Sequence, residues 1–173
     1  MAADRLPNRI VLYPDSRLRQ KCVPVREFGE PLAALARRMI ELMHANKGVG
    51  LAGPQVGVCE RIFVCNPTGE PGDDRVFINP ELSDLTGAVE GEEGCLSIPE
   101  VRVMVRRAKK CRIRGQDVAG QPVEAVAEDL LARIWQHETD HLDGRLIIDR
   151  MNPADKLANK KPLAQLEADF RKR

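Results

Sequence analysis

The chain of 173 residues is 43% hydrophobic, enough to bury a core of its own, so residues 1–173 are read as a single domain. Lys+Arg 27 against Asp+Glu 26 leave a formal charge of +1, which removes the electrostatic basis for dedicated nucleic-acid binding or an anionic membrane surface and favours small or peptide partners. Aromatic residues make up only 3%, so the core must be aliphatic.

No apolar run approaches the roughly 18 residues of a membrane span, and the opening MAADRLPNRIVLYP lacks the basic-then-apolar layout of a secretory signal. A cytoplasmic protein is expected. The five cysteines, Cys22, Cys59, Cys65, Cys95 and Cys111, form no CxxC pair, and their odd number suits free thiols in a reducing compartment.

Residues 31–44 carry Leu32, Leu35, Ala36, Met39, Ile40 and Met43 at helical spacing, with Pro31 suited to a first turn. The glycine-rich KGVGLAGPQVG that follows reads as extended loop. RIFVC (61–65) and RVFIN (75–79) read as short strands, the second closed by Pro80. VRVMV (101–105) and CRIRG (111–115) alternate like half-exposed antiparallel strands, and DVAGQPVEA supplies a turn and another strand. Residues 128–142 return to helical period, with Gly144 beyond the end. RLIID (145–149) reads as a further strand, and Leu163, Leu166 and Phe170 mark a terminal helix. Grouped strands without regular βαβ alternation give an α+β class: antiparallel strands around a central HExxH helix, with helices at either end.

That central helix carries IWQHETDHLDG (134–144). At roughly 100° per residue, Leu130, Leu131, Ile134, Trp135, Glu138, His141 and Leu142 share one arc, with His137 at its edge. Arg133, Gln136, Thr139, Asp140 and Asp143 occupy the other side. Burying a carboxylate and two imidazoles costs several kcal/mol unless they are paired or ligate a cation. The i, i+4 spacing lets His137 and His141 reach one ion at about 2.1 Å, while Glu138 is suited to a water beside it, as in H-E-x-x-H hydrolases.

A catalytic ion then needs a third protein ligand. The remaining histidine, His44, suits a solvated or capping role, and Ile147 stands where a zincin would carry its third histidine. A zincin-like endopeptidase therefore lacks a ligand. A closed structural site lacks a fourth, and a phosphate loop in GVGLAGPQVG lacks the GK[ST] ending. Among the cysteines Cys95 stands apart, in the polar turn GEEGCLSIP rather than in a strand. RRAKK (106–110) and RKR (171–173) read as solvated faces.

Taken together, GVGLAGPQ (48–55), EGCLS (93–97) and QHETDHLDG (136–144) resemble the three signature segments of peptide deformylases, in that family's order. The resemblance implies Cys95, His137 and His141 as metal ligands, with Fe2+ the expected physiological ion and Zn2+, Ni2+ or Co2+ able to replace it. It implies hydrolysis of the N-formyl group from the initiator methionine of nascent chains, releasing formate. Metal-bound water would be the nucleophile, Glu138 the general base and acid, and Gln55 with the Leu96 backbone N–H the stabilisers of the oxyanion. Gly50 would pair with an extended substrate, and Val49, Leu130 and Ile134 would line the methionine pocket, with Arg133 near its rim. Two departures from the family pattern are expected to matter: Gly53 would loosen the backbone before Gln55, and Gly91 would leave the pocket wider or differently closed. A substrate that emerges from the ribosome makes transient ribosome association an expectation for the basic C-terminus.

Overall fold

The computed structural model describes residues 6–172. Two helices sandwich one antiparallel sheet, and the strand between them explains why RIFVC is apolar throughout. In β2 (Ile62–Cys65), Ile62 and Val64 pack with Leu32, Leu35, Met39 and Met43 of α1 (Glu30–Ala45). Phe63 and Cys65 face the other way, toward Ala132, Ile134, Trp135 and Leu142 of α2 (Asp129–Leu142). A period of two thus feeds both faces of a strand buried on each side. Trp135 is fully buried, with its ring edge against Phe77 at 5.3 Å between centroids.

The five-stranded sheet has the order β1-β2-β3-β6-β7, with β1 Gly50–Ala52, β3 Arg75–Thr86, β6 Lys110–Gln116 and β7 Pro122–Glu128. β1 lies at the edge, bonded to β2 alone. A separate hairpin joins β4 (Val89–Cys95) to β5 (Ile98–Arg107). β5 alternates from Val101 onward, and its buried Ile98, Val101, Val103 and Val105 form a third apolar cluster with Leu18, Leu146 and Ile147. Leu163 and Leu166 of α4 (Lys160–Arg171) close that cluster.

Four local expectations are corrected. β3 does not stop at Pro80: it continues to Thr86, with a register irregularity between Ile78 and Glu81 that absorbs the missing N–H. GVGLAGPQVG is not simply loop, because it holds β1 and a 3-10 turn over Gly53–Val56. RLIID is not a strand: Ile147–Arg150 is a 3-10 turn, closed by the Leu146 N–H donating to the Asp149 carboxylate at 2.9 Å. Cys95 is not in a free turn but ends β4, a strand whose Val-Glu-Gly-Glu-Glu-Gly sequence carries almost no hydropathy signal. A short helix, α3 (Pro153–Ala158), begins at Asn152, whose side chain accepts from the Asp155 N–H.

Candidate metal centre

α2 and the end of β4 meet in a cleft of about 590 Å³. Cys95, His137 and His141 converge there, each offering one ligand atom, all within 4.8 Å of one another. His141 Nε2 lies 3.2 Å from His137 Nε2 and 3.4 Å from Cys95 Sγ. Tetrahedral corners about 2.1 Å from an ion stand about 3.4 Å apart, so the donor atoms have the spacing of ligands. Three electron-rich atoms this close repel unless positive charge lies among them. A proton serves one pair, whereas a divalent cation serves all three. Two imidazoles and a thiolate also form a donor set suited to borderline first-row metals.

The orientation of His137 is fixed from behind. Its Nδ1 donates to Glu93 Oε2 at 2.9 Å, which turns Nε2 toward the cleft. Glu93 also takes two hydrogen bonds from Arg107, Nε to Oε1 and Nη2 to Oε2, both 2.9 Å. Arg107 in turn reaches Asp140 at 2.6 Å. Burial alone would raise the Glu93 carboxyl, but hydrogen bonds from Arg107 and His137 and their charges outweigh it and hold the group well below the usual carboxylate range. Arg107 is 4% exposed, so the basic run 106–110 is not uniformly a solvated face. This buried pair escapes a reading by composition, because a basic run signals surface. Only the alternating burial of β5 could have singled Arg107 out.

Glu138 is buried beside the histidines, and its Oε2 has no hydrogen-bond partner among the described residues. Burial pushes its carboxyl up to about 7, against the lowering influence of His137. Burial and the neighbouring His137 hold His141 well below the ordinary histidine range. His137 is held well above it: burial opposes protonation, but its contacts with Cys95 and Glu93 prevail.

Gln55 is 1% exposed. Its Oε1 accepts from the Ala52 N–H at 2.8 Å, which fixes the amide so that Nε2 donates to Cys95 Sγ at 3.4 Å and Ser97 Oγ at 3.2 Å. The glycine at 53 does not loosen this arrangement. A Cβ there would lie 2.5 Å from the Val58 carbonyl oxygen and 2.8 Å from that of Glu60, so glycine is what lets the turn close. Leu96 follows Cys95 and lines the same cleft, together with Val49, Gly50, Leu130 and Ile134.

Two positions depart from the helical-wheel expectation. Leu130 is 51% exposed at the cleft mouth rather than buried, and Gln136 is 8% exposed rather than outward. Gln136 is accommodated because its amide accepts from the Ala108 N–H and donates to the Ala108 carbonyl, at 3.0 and 2.9 Å. His44 takes no part in the centre and pairs with Asp74 at 2.7 Å.

The sequence profile of the family described as Polypeptide deformylase matches residues 7–157. The chain is 43% identical over 159 residues to a peptide deformylase of Thermotoga petrophila, covering 91% of this chain and 95% of that one. It is 46% identical over 145 residues to one of Acidobacterium capsulatum, covering 83% and 85%. The fold matches a crystal structure of peptide deformylase from Plasmodium falciparum with a TM-score of 0.91 at 35% identity, over 94% of this chain and 97% of that one.

Proposed function

This chain belongs to the polypeptide deformylase family, and from that premise we propose a residue-level account of how it removes the N-formyl group from the initiator methionine of new polypeptides. Cys95, His137 and His141 hold one divalent ion. The observation that carries this is the approach of a sulfur and two imidazole nitrogens to 3.2 and 3.4 Å beside a buried carboxylate oxygen with no partner among the described residues. When bound, the ion supplies Lewis acidity that polarises the formyl carbonyl and acidifies a water molecule.

The rest of the chemistry belongs to the protein. Glu138 takes a proton from the attacking water and passes it to the departing nitrogen, so formate and a free amine result. Its Oε2, which has no hydrogen-bond partner among the described residues, suits both halves of that task. Gln55 Nε2 and the Leu96 backbone N–H stabilise the negative charge that builds on the formyl oxygen. The peptide lies along the open edge of β1 at Gly50 as an added strand. Val49, Leu130 and Ile134 receive the methionine side chain, which accounts for Val49 and Leu130 remaining 44% and 51% exposed.

Fe2+ is the ion we assign physiologically, with Zn2+, Ni2+ and Co2+ compatible with the same thiolate–imidazole donors. The catalytic unit is the whole of residues 1–173, acting in the cytoplasm, where formylated nascent chains arise. No helix among the described residues is long and apolar enough to cross a membrane. Anaerobic assay of formate release from formyl-Met-Ala, with metal analysis of the same sample, tests the reading. Absence of formate from a metal-loaded sample overturns it. Transient ribosome association through Arg171, Lys172 and Arg173 is tested by co-sedimentation. Equal recovery of the parent and a variant with all three changed to alanine would refute that contact.

A further inference from the structure

The glycine at 91 does not widen the cleft, because a guanidinium occupies the space. Arg133 reaches back from α2 and lies across the β4 backbone. Its Nη2 donates to the Val89 carbonyl at 2.8 Å, and its Nη1 to the Val105 carbonyl at 2.8 Å and to Glu93 Oε1 at 2.9 Å. A Cβ at residue 91 would meet Arg133 Cζ and Nη2 at 3.0 Å and Nε at 3.2 Å. An alanine methyl would push the guanidinium by a few tenths of an ångström, and the further carbons of isoleucine would need the volume the guanidinium itself fills. Arg133 lines the same cleft as Val49, Leu130 and Ile134.

We propose that Gly91 and Arg133 act as one unit that closes the β4 side of the methionine pocket and sets its depth, making Arg133 a specificity-determining residue. The proposal rests on the deformylase reading above. Three hydrogen bonds leave the guanidinium no donor-driven reason to swing away, and its flat, weakly hydrated face suits a polarisable thioether. The rim of the pocket is thus a fixed plane rather than a mobile aliphatic side chain. Arg107 gives Glu93 two further hydrogen bonds, one to each oxygen, so the carboxylate that holds His137 does not depend on Arg133 alone. The effect of losing Arg133 therefore falls on substrate fit.

The test is a substitution cycle at 91 and 133, read on formyl-Met-Ala and formyl-Phe-Ala and by thermal melting of the same samples. Arg133→Ala should raise KM for formyl-Met-Ala more than it lowers kcat. It should also shift kcat/KM toward formyl-Phe-Ala by on the order of tenfold, the scale at which pocket size discriminates. Gly91→Ile alone should lower both activity and melting temperature by displacing the guanidinium. Combined with Arg133→Ala, the isoleucine refills the space, so the double variant should regain preference for methionine and melt above Gly91→Ile. If Gly91→Ile does not fold, Gly91→Ala supplies the same cycle with smaller steps. Unchanged side-chain preference in Arg133→Ala, or additive effects in activity and melting, would overturn the proposal. Failure of the deformylase reading is distinguishable: the parent itself would release no formate, while the melting cycle would still report whether the two residues are coupled.

Discussion

Replacing Gly50 by alanine is a one-methyl perturbation of the proposed general base that leaves every proposed ligand untouched. A Cβ at Gly50 would lie 2.3 Å from Glu138 Oε1, 2.8 Å from Cδ and 3.0 Å from Cγ. An ordinary contact needs roughly 3.4 Å or more, so the carboxylate must retreat by about 1 Å. Glu138 is 4% exposed and Gly50 is paired to Cys65 in the sheet, so the backbone cannot give way in its place. Misplacing a reacting group by about 1 Å costs on the order of 100-fold. Gly50→Ala should therefore lose about that much of kcat for formyl-Met-Ala while metal content and circular dichroism match the parent. Formate release at the parental rate would show that Glu138 need not occupy its observed position, and the role assigned to it would fail.

Glu138→Gln removes the proton acceptor but not its shape. It should keep the metal and lose on the order of 10² to 10⁴ in rate, and a fully active Gln variant would exclude Glu138 as the base. Because the folded carboxyl of Glu93 is held below its ordinary value of 4.5, the stability it contributes is present above about pH 4.5 and lost as pH falls through the lower folded value. Acid denaturation of metal-free Glu93→Gln should accordingly show a flatter stability profile below pH 4.5 than the parent, and identical acid limbs would contradict the pairing. Burial pushes the Cys22 and Cys65 thiols up to about 12 and that of Cys111 up to about 11, so their reactive thiolates are scarce at neutral pH. Iodoacetamide at pH 8 should leave all three unmodified in the native protein, and mass-spectrometric detection of adducts on them without unfolding would refute this.

Much of the architecture was legible because periodicity reports burial. The 3.6-residue period of α1 and α2, and the alternation in β5 and β6, follow from which side chains face the three apolar clusters. What hydropathy could not register were polar groups satisfied inside. Gln136 sits inward because both ends of its amide bond to Ala108, and Arg107 because Glu93 and Asp140 neutralise it. β4 was hidden for the same reason, since its inward Glu93 is held by Arg107, Arg133 and His137. Both glycine departures were visible as positions, but Gly53 was misread as freedom, and at Gly91 the sequence left open whether the pocket is wider or differently closed. Their meaning is close approach, of carbonyls at Gly53 and of the Arg133 guanidinium at Gly91, and only coordinates reveal what a missing Cβ makes room for.

The most direct measurement is X-ray absorption at the metal edge of anaerobically purified, active enzyme. The account predicts a single ion with one sulfur at about 2.3 Å and two imidazole nitrogens at about 2.1 Å, with the sulfur signal lost in Cys95→Ala along with the metal. An active enzyme whose ion has no sulfur neighbour, or one that retains full activity without bound metal, would contradict it.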